Sequence, residues 1–144
     1  MAKLFTMSLI VAVSVQVVCQ IFKVFLYSIR DGKLEFSYFF SAGGMPSSHS
    51  AFVSALTVSV GLRGGVNTEM FAVAFVFSAI VIYDSFRLRG AVENHARILK
   101  KLVDRHPEVD SGPISEMVGH SPLEILVGLV FGGGSAVLLY LAGL

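Results

Sequence analysis

Charged residues are scarce in this chain. Only 15% of its 144 residues are charged and 54% are hydrophobic, whereas soluble domains typically carry about 25% charged residues. These values exclude an ordinary soluble fold and predict an integral membrane protein. The length of the chain suits a single domain that covers residues 1–144. The net charge of only +1 argues against a nucleic-acid partner.

Cysteine is almost absent, since Cys19 stands alone and an intrachain disulfide is therefore excluded. The apolar N-terminal segment also lacks a small-residue cleavage site. Val17 and Val18 make Cys19 a poor lipoprotein site, because a small residue is expected just before the cysteine. We therefore expect this segment to be retained as a transmembrane helix.

Four apolar segments approach the roughly 20 residues that a helix needs to cross a bilayer core. They cover about 3–29, 48–61, 68–85 and 122 to the C-terminus, and the second is short for a span. Residues 89–103 have the pattern of an amphipathic helix lying on the membrane surface. The expected fold class is all-α: an integral membrane helical bundle with about four transmembrane helices plus an interfacial amphipathic helix.

Basic residues are concentrated on one side of this predicted bundle. An even number of spans separates the loops at 31–48 and 86–120, which places nine of the eleven Lys and Arg residues on one side. The positive-inside rule predicts that this side is cytoplasmic, in a bacterial inner membrane or an organellar membrane. Basic residues that bind an anionic substrate would produce the same bias.

The run Gly43–Ser50 places polar residues at the membrane boundary. Glycines allow the backbone to approach a ligand closely, and Pro46 followed by Ser47 or Ser48 is typical of a helix start. A helix N-terminus suits a phosphate, and His49 suits proton transfer near neutral pH. The alternative is a loop before a helix in which the histidine only satisfies local hydrogen bonds.

The first apolar segment carries a polar stripe. Its members are four, three, four and three residues apart, which is one helical face: Gln16, Gln20, Lys23, Tyr27 and Arg30. Polar groups inside a span normally face the bundle interior, so the stripe is predicted to do so. Snorkelling to the interface would explain Lys23 and Arg30 but not the two glutamines.

Small residues recur at helical spacing in two other segments. They are Ser50, Ser54, Thr57 and Gly61 in the second span and Gly128 and Gly132 in the fourth. Such positions favour close packing between transmembrane helices over a ligand site.

A second histidine, His120, stands just ahead of the fourth span, four residues before Glu124. A carboxylate that accepts a proton from one ring nitrogen leaves the other nitrogen free as a nucleophile. Ser121, Pro122 and Glu124 also form the pattern of a capping box, and both interpretations stay open. His120 and His49 are predicted at the same membrane face, which favours phosphate chemistry.

Asp84, Arg87 and Arg89 end the third span on that same face. Asp84 is either a salt-bridge partner of nearby cations or a group that orients Arg87 or Arg89 on a phosphate.

Together these residues resemble a known family. Pro46–His49 is similar to the Pro-Ser-Gly-His motif of the type-2 phosphatidic acid phosphatases, which share their fold with vanadium haloperoxidases. Lys23 with Arg30 resembles the first motif of that family, and His120 with Glu124 resembles its last. The whole pattern looks like the divergent branch of this superfamily, which consists of small membrane proteins.

The resemblance implies a metal-independent lipid phosphate phosphatase without a cofactor. His120 would be the nucleophile, Glu124 would hold it, and His49 would donate the proton. The phosphate would be bound by residues of all these segments: Lys23, Arg30, Ser47, Ser48, Asp84, Arg87 and Arg89. An apolar groove between helices would hold the lipid tails.

The chain departs from the family pattern at three places. Asp31 follows Arg30 where proline is usual, Ser48 replaces the motif glycine, and no arginine precedes His120 at the usual spacing. An inactive protein that binds anionic lipid or acts as a scaffold is therefore the alternative, and a small transporter is a third. A homodimer is also left open.

Overall fold

The structure is a computed structural model that describes residues 6–33, 39, 44–106, 109, 112 and 121–144, without the side chains of Leu88, Arg89 and Glu93. Within these ranges the chain forms helices and no strand, which confirms the predicted all-α class. The helices are α1 (Met7–Asp31), α2 (Ser48–Gly64), α3 (Glu69–Phe86), α4 (Leu88–Val103) and α5 (Pro122–Leu141).

In the described part of the chain, three helical segments are long and apolar enough to cross a bilayer: Met7–Asp31, Glu69–Val103 and Pro122–Leu141. Large apolar side chains are exposed on the outer faces of α1, α3 and α5, as expected for surfaces that contact lipid. The central helix α2 has 17 residues, which is the short end of the spanning range of about 17–25. A membrane helical bundle is confirmed, and its fourth span depends on this short helix.

Helix α2 lies at the centre of the bundle and packs against α1, α3 and α5. The core consists of small and β-branched residues that allow the helix axes to approach closely: Val11, Val15, Cys19, Ala51, Ala55 and Ala136. Larger side chains from α2 and α5, such as Val58 and Phe131, close its edge. The helices therefore pack mainly through close approach of their backbones and not through bulky core side chains.

The closest packing lies between α2 and α5, which run parallel. A Cβ at Gly128 would lie 3.0 Å from the Cβ of Ser50, and a Cβ at Gly132 would overlap the carbonyl of Ala51. Only glycine fits at these positions of α5, because any side chain would meet backbone. The predicted close-packing role of these glycines is confirmed.

Hydroxyl groups of α2 bond to neighbouring helices. Ser54 Oγ donates to the carbonyl of Leu129 at 2.9 Å, Thr57 Oγ1 and Ser78 Oγ are hydrogen-bonded at 2.7 Å, and Ser78 Oγ donates to the carbonyl of Val53 at 3.2 Å. Such bonds satisfy polar groups that find no water inside a bilayer. These residues therefore join helices, as their spacing predicts.

The end of α1, the starts of α2 and α5 and the end of α3 meet at one end of the bundle, which we call the site face. Tyr27 of α1 bonds to Met45 just before α2, and Phe86 of α3 lines the same groove as Pro122 of α5. The prediction that these segments share one side of the membrane agrees with this arrangement.

Candidate functional site

The loop that precedes α2 is held by a tyrosine of α1. The N–H of Met45 donates to Tyr27 Oη at 3.2 Å, and the peptide bond between Met45 and Pro46 is cis. Gly44 has a φ of +83°, and a Cβ there would overlap the Tyr27 hydroxyl. Glycine is required at this position both by its backbone conformation and by the close approach of the tyrosine.

Ser47 is the N-cap of α2 and is completely buried. Its hydroxyl accepts hydrogen bonds from Ser50 N at 3.4 Å and Ser50 Oγ at 2.9 Å. Its own backbone N–H donates to the carbonyl of Glu124 at 3.0 Å. Of the two serines proposed as caps, Ser47 has this role, while Ser48 is the first residue of the helix and is also buried.

His49 lies in the first turn of α2 and is half-buried. The positive end of the helix dipole lies at this turn, where the backbone N–H groups of a helix have no intrahelical acceptor. A half-buried imidazole is held by its surroundings and can still be reached from outside the bundle. The role of His49 as proton donor stays a prediction.

Lys23 is 1% exposed and interacts electrostatically with Glu124 of α5. A buried ammonium is costly unless a counter-charge lies nearby, and Glu124 supplies it. The interaction of Lys23 with Glu124 joins the first and last motifs of the sequence at the site face.

The rest of the polar stripe does not follow Lys23 into the core. Gln16, Gln20 and Tyr27 are half-buried, whereas Arg30 is exposed. The interior-facing prediction therefore holds for Lys23 and in part for the glutamines, but not for Arg30. The reason is that Arg30 lies in the last turn of α1, next to the Gly32 that ends the helix.

Glu124 completes a capping box at the start of α5. Its Oε2 accepts the N–H of Ser121 at 3.0 Å, and Ser121 Oγ accepts the N–H of Glu124 at 3.3 Å. Pro122 occupies the first turn, as expected. The capping box is confirmed, and Glu124 combines this role with its interaction with Lys23.

His120 lies outside the described residues, as does Gly43. Because α5 begins at Pro122, His120 precedes both the helix and its N-cap. A contact between His120 and Glu124 therefore does not follow from regular helical spacing, and the contact stays a prediction.

The remaining predicted ligands of phosphate lie at the rim of the site face. Asp84 is near the end of α3, Arg87 separates α3 from α4, and both are exposed, like Arg30. Arg89 falls in α4, but its side chain is outside the described part of the structure. The structure thus connects Lys23 and Ser47 through Glu124, with Ser48 and His49 in the turn that follows Ser47. Arg30, Arg87 and Asp84 are exposed.

The charges around this centre favour an anion. Helices α2 and α5 run parallel, so both present the positive ends of their dipoles to the site face. Lys23 adds a basic group that interacts with Glu124. Among the residues described, no cluster of His, Cys, Asp or Glu has the arrangement of a metal site.

A lateral groove of about 740 Å³ starts at the site face between α2, α3 and α5. Phe86 and Pro122 line its mouth, and Phe75 and Leu129 lie at its deeper end. At 1.5 Å per residue, the α3 wall from Phe75 to Phe86 is about 16 Å long, roughly half of a bilayer core. The groove is mostly apolar, and three of the hydroxyls in it, those of Ser54, Thr57 and Ser78, bond between helices.

Two of these features were missed by sequence reasoning. Tyr27 was recognised only as part of the stripe, and the groove was expected without its helices being named. The tyrosine could have been singled out because it lies between Lys23 and Arg30 on one face. The groove carries no comparable signal, because its wall depends on how three helices pack.

Comparison with known proteins gives a consistent result. The sequence profile of the Divergent PAP2 family matches residues 5–134. The chain is 35% identical over 136 residues to the "Uncharacterized membrane protein YuiD" of Bacillus subtilis (strain 168), covering 85% of this chain and 84% of the relative. No solved structure matches the chain. The relative supports the assignment to a membrane, and the profile confirms the resemblance drawn from the motifs.

Proposed function

Because the chain belongs to the Divergent PAP2 family, we propose that it is a metal-independent lipid phosphate phosphatase. The observation that carries this proposal is the meeting of three motif segments at the site face. Lys23 of α1 interacts with Glu124 of α5, and Glu124 accepts a hydrogen bond from Ser47, two residues before His49. Segments far apart in sequence therefore form one cationic centre at a membrane boundary.

In the proposed reaction, this centre binds the phosphate of a phosphomonoester or diphosphate. Lys23, Arg30 and Arg87 or Arg89 neutralise its oxygens, with Asp84 orienting the arginine. Backbone N–H groups in the first turn of α2, at Ser48 and His49, add hydrogen bonds where negative charge develops. Ser47 then acts chiefly by holding that turn, because its own N–H is bonded to Glu124.

The chemical step uses two histidines. A ring nitrogen of His120 attacks phosphorus, the bond to the leaving oxygen breaks, and His49 gives its proton to that alkoxide. Water then attacks the phosphohistidine and breaks the phosphorus–nitrogen bond, while His49 takes the proton from the water. Glu124 supports His120 and the positive charge on its ring during the attack.

The lateral groove is the reason for proposing a lipid substrate. It opens beside Pro122, at the start of α5, and its wall consists mainly of apolar side chains. Burying a methylene group is worth about 0.8 kcal/mol, so an alkyl chain in this groove would hold its headgroup at the site face. A soluble phosphate ester would gain none of this binding energy.

The proposal is tested by measuring phosphate release from a panel of lipid phosphates by purified protein in detergent micelles. His49→Ala and His120→Ala should each lower kcat/KM by at least about a hundredfold, the usual size of a general acid–base contribution. Radiolabelled substrate should trap a phosphohistidine that is absent in His120→Ala.

His106→Ala is the matched control, because His106 is exposed beyond the end of α4. It should leave turnover unchanged. Equal phosphate release by wild type, His49→Ala and His120→Ala would refute the proposal.

One observation favours the alternative, an anionic-lipid-binding or scaffold protein without turnover. Ser47 and Ser48 are fully buried, and the Ser47 hydroxyl is engaged in capping α2. The replacement of the motif glycine by Ser48 thus adds a side chain at the place where a phosphate would lie. Lipid phosphate that binds and is recovered intact, with no trapped phosphohistidine, would support this function.

We further propose that the site face is cytoplasmic, because it carries most of the basic residues. A membrane-impermeant thiol reagent distinguishes the two orientations. In intact cells it should leave Arg87→Cys unlabelled and should label Asn67→Cys, which lies between α2 and α3 at the opposite end. The reverse pattern would place the site face outside.

A further inference from the structure

Helix α4 presents an apolar face that the described bundle does not cover. Four of its large apolar side chains are between 44% and 57% exposed: Val92, Ile98, Leu99 and Leu102. Among the described elements, α4 contacts only α3, the helix that directly precedes it. Apolar side chains in this number, left on one helix face, indicate that a partner covers them.

The shape of this face favours a broad surface over a second helix. At about 100° per residue, Ala91, Val92, Ile98, Leu99, Leu102 and Val103 fall within an arc of roughly 140°. The seam of a coiled coil is narrower, being limited to two positions in seven. A helix with a wide apolar face and a charged opposite face is typical of the interface between lipid and water.

The charge on the other face selects the kind of lipid. Helix α4 contains four basic residues and one acidic residue, Glu93, in its sequence. Lys100 and Lys101 are exposed and lie on either side of the polar face. Long lysine side chains can reach back towards the headgroups while their stems cover apolar surface. Positive charge at this level attracts anionic headgroups.

The position of α4 along the chain places it at the membrane boundary. Helix α3 has 18 residues, which at 1.5 Å per residue is about 27 Å, close to the thickness of a bilayer core. Only Arg87 separates its end from α4. The amphipathic helix therefore starts at the level of the headgroups, on the site face and beside the mouth of the groove.

We propose that α4 is a docking surface for an anionic lipid leaflet, with its apolar face in the lipid and Lys100 and Lys101 bound to negatively charged headgroups. This surface goes beyond the phosphatase activity and does not depend on it. It also enriches anionic lipid next to the groove, because headgroups held by α4 lie on the site face.

The test uses the full chain in nanodiscs of phosphatidylcholine alone or of equal parts phosphatidylcholine and phosphatidylglycerol. A spin label is attached to Leu99→Cys on the apolar face or to Arg97→Cys on the opposite, polar face, about 160° away around the helix. Cys19 is buried, so labelled wild type serves as the blank. Accessibility to oxygen, which dissolves in lipid, is compared with accessibility to a water-soluble nickel chelate.

At position 99 we expect high access to oxygen and little to the chelate, with the reverse at position 97. The ratio of oxygen access to chelate access, compared between the two positions, should differ at least threefold more in the anionic nanodiscs than in phosphatidylcholine alone. Lys100→Gln combined with Lys101→Gln should remove this dependence on lipid charge.

Three outcomes would overturn the proposal. The first is equal chelate access at positions 97 and 99 in both lipids, which would place α4 in water. The second is a short distance between the labels of two copies at position 99, which would make a second copy the partner. The third is a contrast that is the same in both lipids, which would show that headgroup charge has no part.

Discussion

The backbone N–H of Ser47 donates a hydrogen bond to the carbonyl oxygen of Glu124 over 3.0 Å. This bond ties the N-cap of α2 to the first turn of α5 and thereby fixes His49 relative to the last motif. The same turn of α5 is closed by the capping box of Ser121 and Glu124. Two helix starts that could move independently are thus held as one unit at the site face.

We expect Gly128→Ala to separate these two helix starts. An added Cβ would overlap the Ser47 carbonyl, which is backbone and cannot rotate away. Overpacking of this kind costs about 1–3 kcal/mol, so the Tm in detergent should fall by several degrees, and any phosphatase activity should fall with it.

Gly134→Ala is the matched control for this substitution, because it lies in the same helix with nothing within 4 Å of an added Cβ. Alanine is favoured over glycine in a helix interior by about 0.5–1 kcal/mol, so this variant should keep or raise the Tm. Equal stability of Gly128→Ala and Gly134→Ala would contradict the close parallel packing of α2 and α5.

Glu124→Gln separates the charge of Glu124 from its capping role. Glutamine also serves at the third position of a capping box, so the helix start is kept while the counter-charge of buried Lys23 is lost. Removing one member of a buried charge pair costs about 3–5 kcal/mol of stability. Because Glu124 is partly exposed, the loss for Glu124→Gln should lie at or below the lower end of this range. We expect a clear loss in the free energy of unfolding in denaturant titrations.

The companion variant Lys23→Met removes the buried charge itself. Combined with Glu124→Gln, it should recover much of the stability that Glu124→Gln loses, because the ammonium that needs a counter-charge is gone. Strictly additive losses in the double variant would show that Lys23 and Glu124 do not interact. Activity should be lost in both variants that lack Lys23, since stability alone does not restore phosphate binding.

Local patterns predicted much of this arrangement. The capping box at Ser121 and Glu124 is set by neighbours in sequence, so the residue types alone define it. The packing role of Gly128 and Gly132 could also be predicted from the sequence, because small residues about one turn apart permit close helix packing. The shared site face followed from counting spans, since each crossing of the membrane reverses the chain.

Other features depend on tertiary packing and leave no local mark. Lys23 and Arg30 look alike in the polar stripe, yet one is buried and the other exposed. The difference arises because α5 packs beside Lys23, whereas Arg30 lies in the final turn of α1. In the same way, the bond between Tyr27 and Met45 joins residues 18 apart in sequence, so no local pattern marks it.

Tyr27→Phe tests whether that bond positions the loop before α2. Phenylalanine keeps the ring but removes the acceptor for the Met45 N–H, a loss of about 0.5–1.5 kcal/mol. We expect kcat to fall up to tenfold with little change in KM, because the loop carries the first turn of α2 and not the lipid tail. Gly44→Ala should be more severe, since both φ and the contact with Tyr27 oppose a side chain.

Tyr140→Phe is the control for Tyr27→Phe, because Tyr140 is an exposed tyrosine in the last turn of α5, at the opposite end of the bundle. It should leave kcat unchanged. A Tyr27→Phe variant with wild-type kcat would show that the loop is positioned by other contacts.

Filling the groove tests whether it binds the tail of the substrate. Ala79 lines the groove in the middle of α3, so Ala79→Phe should block its deeper part. We expect KM for a long-chain lipid phosphate to rise by about tenfold. This rise corresponds to roughly two methylene groups of the tail that are no longer buried, at about 0.8 kcal/mol each. KM for a short-chain phosphate should not change, because its tail would not reach Ala79.

Val130→Phe is the control, because it places the same ring on an exposed face of α5. It should alter KM for neither the long-chain nor the short-chain substrate. If Ala79→Phe raised KM equally for short and long chains, the groove would affect the site through packing, and the tail would bind elsewhere.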